Sequence, residues 1–232
     1  MNQLQSLKSE LKSLASPEKA KLLQRYFKTG KGQYGEGDIF LGVTVPEIRA
    51  IAKKYKDLPL EEIKSLLTSK IHEERLTALL LLVHLYQKNP DKKFVDLYLS
   101  NTKYINNWDL VDLTSHKILG HYLENKPRDI LYNLAKSTSL WERRISIIST
   151  FYFIPKKDFK DALALAEILL HDKHDLMHKA VGWVLREIGK KDLPTLQIFL
   201  KKYYKTMPRT MLRYAIEKFP EEERKKYLRG EI

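Results

Sequence analysis

The strongest constraint on what this chain can fold into is a period of 34 or 35 residues. Five segments align on Arg75, Asp109, Arg144, Lys179 and Arg213, with separations of 34, 35, 35 and 34 residues. A period of that length is the signature of helical hairpins that stack on one another, each burying an apolar face it cannot bury alone. The aligned segments read I-H-E-E-R-L-T-A-L-L-L-L-V from Ile71, N-N-W-D-L-V-D-L-T-S from Asn106 and L-W-E-R-R-I-S-I-I-S from Leu140. They are followed by D-L-M-H-K-A-V-G-W-V-L-R-E from Asp175 and P-R-T-M-L-R-Y-A-I-E-K-F from Pro208.

Apolar residues recur at three- and four-residue spacing throughout, and no alternating strand pattern competes with them. The pattern predicts helices over 2–14, 17–28, 45–56, 60–69, 71–88, 91–101, 107–123, 127–137, 140–153, 156–171, 175–190, 192–203, 207–218 and 220–228. Breaks fall before Pro17, Pro90, Pro127, Pro155 and Pro208, because a residue that precedes proline is biased out of the helical region. These breaks separate helices and not domains, so the expectation is an all-α solenoid forming a single domain over 1–232.

Three residues beyond the aligned position, nearly one helical turn on, the repeats carry Ala78, Asp112, Ile147, Gly182 and Ile216. Asp112 is the exception in an otherwise apolar or small series. A half-buried carboxylate loses hydration, which costs several kcal/mol unless it is paired or hydrogen-bonded. Such a residue either caps a neighbouring helix, pairs with an arginine of the next repeat, or carries function, since functional acids concentrate at exceptions of this kind.

The three tryptophans, Trp108, Trp141 and Trp183, all lie in the aligned helices of consecutive repeats. Trp141 reads as core. Trp108 and Trp183 are expected beside Asp112, with Gly182 permitting another backbone or a ligand to approach closely. A glycine inside a helix costs about 1 kcal/mol relative to alanine and so calls for such a reason.

Lys and Arg number 42 against 29 Asp and Glu, a net charge of +13, which points to a polyanionic partner with nucleic acid foremost. The basic residues are spread over the repeats and form no single membrane-facing cluster. The longest apolar run, Ala78 to Val83, is too short to cross a bilayer. The first residues, M-N-Q-L-Q-S-L-K-S-E, lack the apolar core of a secretory signal. Without cysteine there are no disulfides and no thiolate metal sites. A monomeric cytoplasmic protein, not membrane-associated, is expected.

The glycine-rich stretch from Lys28 to Leu41 lacks the Gly-Lys-Ser/Thr ending of a P-loop, so nucleotide binding is not expected there. Thr44-Val45-Pro46-Glu47 is a capping box that starts a helix, and its free N–H groups offer a place for a DNA phosphate. His171, His174 and His178 are close in sequence but lack the further ligands of a zinc site, so no metal is expected.

Four of these segments together resemble a known family, the HEAT-like repeat DNA glycosylases of the AlkD type: F-L-G-V-T-V-P-E-I-R (Phe40 to Arg49), N-W-D-L-V-D (Asn107 to Asp112), W-E-R-R (Trp141 to Arg144) and A-V-G-W-V-L-R-E (Ala180 to Glu187). They occur in the family's order and at similar spacing, over most of the chain. The resemblance implies a right-handed α-solenoid of HEAT-like repeats that needs no cofactor and acts on double-stranded DNA containing alkylated purines. It implies that Trp108, Asp112 and Trp183 form the catalytic cleft, and that Arg144, Arg186 and the helix start at Thr44 contact the DNA. The family has a longer polar side chain where this chain has Thr44, and a shorter loop before Phe40.

The activity so implied is hydrolysis of the N-glycosidic bond of cationic N3- and N7-alkylpurines, with the lesion left largely within the duplex. Some family members bind DNA without excising bases, so a catalytically silent binder of branched or damaged DNA is the alternative. A peptide-binding scaffold accounts for the repeats but not for the charge or Asp112.

Overall fold

The computed structural model describes residues 2–232, and its regular structure among them is helical. The helices are α1 Gln3–Ser13, α2 Pro17–Tyr26, α3 Val45–Lys54, α4 Leu60–Leu67, α5 His72–Lys88, α6 Lys92–Ser100 and α7 Trp108–Asp112. They continue with α8 Asp129–Ala135, α9 Leu140–Ser149, α10 Lys160–Ile168, α11 Asp175–Lys191, α12 Leu193–Tyr203, α13 Arg209–Ala215 and α14 Glu221–Arg229. Each coincides with a helix expected from the periodicity.

The ends are set by local chemistry. Asn2, Ser16, Asp91, Asn107, Ser139 and Asp192 each accept a backbone N–H from the first turn of the helix they precede, satisfying donors that have no partner inside it. Pro59, Pro208 and Pro220 stand at the starts of α4, α13 and α14, where a fixed φ is an advantage and no N–H is needed.

The chain divides into two compact units, Met1–Thr114 and Ser115–Ile232. In the first, α3 and α4 pack on α5, which also meets α1, α6 and α7. Every residue of α5 from His72 to Val83 is buried, so this helix is enclosed on all sides and not merely on one stripe. Its leucines fill the core, and its buried charged residues must therefore find partners from other elements.

In the second unit α9, α11 and α13 pack in succession, with α8, α10 and α12 against them. That is the arrangement the repeat period calls for. Gly182 makes the closest step possible: a Cβ there would stand 2.5 Å from both the Met211 carbonyl oxygen and Tyr214 Cβ. The backbone that approaches this glycine is that of another helix, α13.

One expected helix is interrupted. The run over 107–123 begins as α7, turns at 113–114 and resumes with a π-helical stretch over His116–Gly120. The Thr114 hydroxyl donates to the Leu110 carbonyl at 2.5 Å, which competes with the regular ladder at this point. π-Helical insertions of this kind occur disproportionately near functional positions. Asp112 is the last residue before the interruption.

Candidate active site

α7 is only five residues long, far below the length at which a helix stands by itself, so its position depends on what holds it. Asn107 caps it by accepting the Trp108 N–H at 2.8 Å. Trp108 opens the helix and Asp112 closes it, one turn apart on the same short element. Both are half-buried.

At the equivalent position of the other repeats, Ala78, Ile147, Gly182 and Ile216 are all buried, so half-buried Asp112 is the exception in burial as well as the polar one. Its charge is felt below: burial pushes the Tyr98 phenol up from its ordinary range, its hydrogen bond with Thr114 works against that, and the nearby Asp112 carboxylate adds to the rise.

The indole of Trp108 lies on an aromatic column. Phe27 stacks on it at 5.1 Å and 23°, Phe40 stacks on Phe27 at 5.1 Å and 15°, and the His72 ring stacks on Phe40 at 4.4 Å and 20°. Tyr26 meets Trp108 edge-on at 6.0 Å and is 63% exposed, a large aromatic face directed outward from the same spot. Tyr26 and Phe27 lie at the end of α2 and just beyond it, and periodicity gave no reason to prefer them over other aromatic residues.

Beneath the column is a charged cluster that spacing alone does not disclose. His72 is 2% exposed, and its Nδ1 and Nε2 lie 3.0 Å from Asp38 Oδ2 and 2.8 Å from Asp109 Oδ2. Arg75 donates to Asp38 Oδ1 at 2.6 Å and to the carbonyls of Ser69 and Tyr104. Burial opposes a charge on His72, but the Asp109 carboxylate and hydrogen bonds to both acids outweigh it and raise the imidazole to about 9. At neutral pH it is therefore an imidazolium that donates to both. Burial likewise works against ionisation of Asp38, yet the His72 hydrogen bond and the Arg75 charge hold it below its ordinary range. One signal for the cluster was present in the sequence: Asp109 is the sole acid at an aligned position that elsewhere carries Arg75, Arg144, Lys179 and Arg213.

The glycine-rich stretch supplies Asp38 to this cluster. It closes on itself through bonds from Gly35 N to the Lys28 carbonyl, Gly32 N to Glu36 and Gly37 N to the Thr29 carbonyl. The following F-L-G-V segment wraps a second buried acid. Glu73 accepts the N–H groups of Leu41, Gly42 and Val43 at 2.9–3.3 Å. Gly42, at φ 86°, makes this possible, since a Cβ there would run into the Ser16 carbonyl at 2.2 Å. At Thr44 the capping box forms: its N–H and hydroxyl both donate to Glu47 Oε2, at 2.7 and 2.6 Å.

The remaining expected site residues belong to the second unit. Trp183, on α11, is half-buried with its ring 4.6 Å from that of Phe151. Trp141 is 8% exposed and belongs to the core, as read from the sequence. Arg144 is 4% exposed and donates to the Leu176 carbonyl at 2.6 Å, much as Arg75 two repeats earlier binds the Tyr104 carbonyl. Arg186 is partly exposed and bonded to Glu187 and Glu217. The histidines of the second unit serve locally: His174 Nδ1 accepts the Leu176 N–H to cap α11, and His178 Nε2 bonds the Asp172 carbonyl. No group of three or more metal-ligating residues occurs among the described residues.

An all-helical chain whose helices pack in succession at the repeat period belongs to the class of helical-repeat proteins, and here one repeat sets a carboxylate and an indole on one short helix. The family model described as DNA alkylation repair enzyme matches residues 7–219, and the chain belongs to that family. Among solved structures the chain is similar to one from Enterococcus faecalis described as a predicted DNA alkylation repair enzyme. That likeness has a TM-score of 0.70 at 18% identity and covers 89% of this chain and 97% of that one. AlkD2 from Streptococcus mutans is similar with a TM-score of 0.55 at 21% identity, over 88% of this chain and 98% of its own. The protein smu.31 from Streptococcus mutans UA159 is similar with a TM-score of 0.55 at 19% identity, over 94% and 99%. No curated protein matches the chain. These likenesses establish a shared all-helical repeat fold. No helix is long and apolar enough to cross a membrane among the described residues.

Proposed function

We propose that this member of the DNA alkylation repair family is a glycosylase that hydrolyses the N-glycosidic bond of cationic N3- and N7-alkylpurines in duplex DNA. The observation that carries the reading is Asp112: a half-buried acid on the same five-residue helix as Trp108, where every other repeat buries an apolar or small residue.

Alkylation at N3 or N7 places a positive charge on the purine, so the base leaves C1′ without a general acid. What needs help is the cationic, oxocarbenium-like sugar formed as the C–N bond breaks. A carboxylate about 4 Å from a unit positive charge contributes roughly 4 kcal/mol at an effective dielectric constant near 20. Spent only on the transition state, that corresponds to about three orders of magnitude in rate. Asp112 supplies this charge and orients the attacking water on the same side. Trp108 offers its indole face to the cationic base or sugar, with Tyr26 beside it as a further aromatic wall. Trp183 is the aromatic that the second unit brings to the duplex.

Phosphate contacts are proposed for Arg144, Arg186 and the capped start of α3 at Thr44. The net charge of +13 supports a polyanionic partner. Glycosylases commonly extrude the target base into a pocket. Here the proposed acid is half-buried at the end of a short helix, which suits a lesion that stays stacked in the duplex and tolerates bulky adducts.

The test is a single-turnover assay with duplex DNA containing 7-methylguanine and enzyme in excess. Release of the free base with an abasic product is expected. Tight binding to the same duplex without base release identifies a catalytically silent binder instead.

A further inference from the structure

The helix that carries Trp108 and Asp112 does not hold itself in place, and the first unit contains a device that does. Asp109 is the second residue of α7, between the two proposed functional residues, and its carboxylate faces inward to His72. The Asp109 Oδ1 atom accepts the Leu110 N–H, so the same carboxylate grips both its own helix and α5. His72 is at once the far end of the ring column that reaches Trp108 through Phe40 and Phe27. Two separate routes, one ionic and one aromatic, thus run from a single buried side chain to the helix that bears the site. We infer that His72 is a positioning residue for base excision: clamped between Asp38 and Asp109, it fixes where α7 presents Trp108 and Asp112 to the DNA. This rests on the glycosylase reading for its catalytic consequence, but not for the geometry.

The cluster is balanced only when His72 carries its proton. Asp38 and Asp109 contribute two negative charges, and His72 and Arg75 two positive ones. The charged groups facing His72 from the packed elements are Asp38 from the glycine-rich stretch, Asp109 from α7 and Arg75 from α5, while Asn106 donates to Asp38 at 3.3 Å. Glu73, next to it on α5, is turned to the Leu41–Val43 backbone. Neutral imidazole has one N–H and cannot donate to two carboxylates, so deprotonation must release either Asp38 or Asp109 from the ring and leaves the buried cluster with a net negative charge. The column then loses the cation that faces Phe40.

The experiment labels the protein with 5-fluorotryptophan, assigns the Trp108 ¹⁹F resonance by Trp108→Phe, and follows it with pH in the free protein. In the wild type the resonance is expected to move with a midpoint near the His72 transition at about 9, and in His72→Gln to sit at a new position without that transition. Single-turnover excision at neutral pH should fall about tenfold to a hundredfold in His72→Gln, as expected for misplacement of reacting groups. Affinity for undamaged duplex should stay within about twofold, because no phosphate contact has been touched.

Should His72→Gln fail to fold, Asp109→Glu keeps every charge and lengthens the link by one methylene. It is then expected to shift the Trp108 resonance and slow excision while retaining the pH transition. A Trp108 resonance unmoved by either variant, or excision at the wild-type rate in a folded one, overturns the inference. If wild-type protein excises nothing while its Trp108 resonance still titrates through His72, the glycosylase reading fails and the positioning device stands.

Discussion

At the scale of single residues, the three tryptophans separate core from proposed site. Trp141 is 8% exposed, whereas Trp108 and Trp183 are half-buried at positions of the same repeat family. Replacing a buried tryptophan with alanine costs about 3–5 kcal/mol, so Trp141→Ala should lower the melting temperature sharply. Trp108→Ala and Trp183→Ala should melt closer to the wild type and lose excision first. Thermal melts beside single-turnover rates on the three variants check this, and equal loss of stability in all three removes the aromatic part of the site. Gly182 gives a second residue-scale outcome. Alanine normally favours a helix by about 1 kcal/mol over glycine, but here the added methyl would collide with the Met211 carbonyl and Tyr214 at 2.5 Å. Gly182→Ala should therefore destabilise, and a higher melting temperature would contradict the packing of α11 on α13.

At the scale of elements, burial of charge inside the first unit ties stability to pH. The His72 imidazole is raised to about 9 in the folded protein from an ordinary 6.5. A group whose folded pKa is raised contributes stability that is complete below its unfolded pKa and lost as pH rises through the folded one. The wild type should thus lose stability between 6.5 and about 9, whereas His72→Gln should show a flatter profile over that window. Denaturant midpoints across that range decide it, and parallel profiles count against the buried imidazolium.

Helix existence was legible because a 3.6-residue period and capping chemistry act within one turn. The interruption after Asp112 was not, since it depends on a Thr114 hydroxyl choosing the Leu110 carbonyl. The Asp38–His72–Asp109 cluster was equally hidden, for its members are 34 and 37 residues apart. Only the reversed charge at Asp109 hinted at it. The tie from Glu73 to the Leu41–Val43 backbone also joins distant segments, and local patterning is blind to such pairs.

At the scale of the whole molecule, the net charge of +13 makes DNA binding an electrostatic matter first. Log affinity for duplex should fall linearly with log salt as condensed counterions are released, whatever the sequence. If Arg144 meets a phosphate, Arg144→Ala should make the slope shallower by about one unit. Because Arg144 is buried and holds the Leu176 carbonyl, the variant should also lose about 1–3 kcal/mol of stability, so slopes are compared on folded protein. An unchanged slope removes Arg144 from the interface and confines it to bracing α11. The overall class was readable from repeat period and charge, whereas the proposed reaction turns on one side chain. Asp112→Asn keeps the size of that side chain and removes its charge. Compared with the wild type at saturating enzyme on 7-methylguanine duplex, it should release base about a hundredfold to a thousandfold more slowly while binding the duplex at least as tightly. Base release at the wild-type rate by a folded, DNA-bound Asp112→Asn protein would contradict the account.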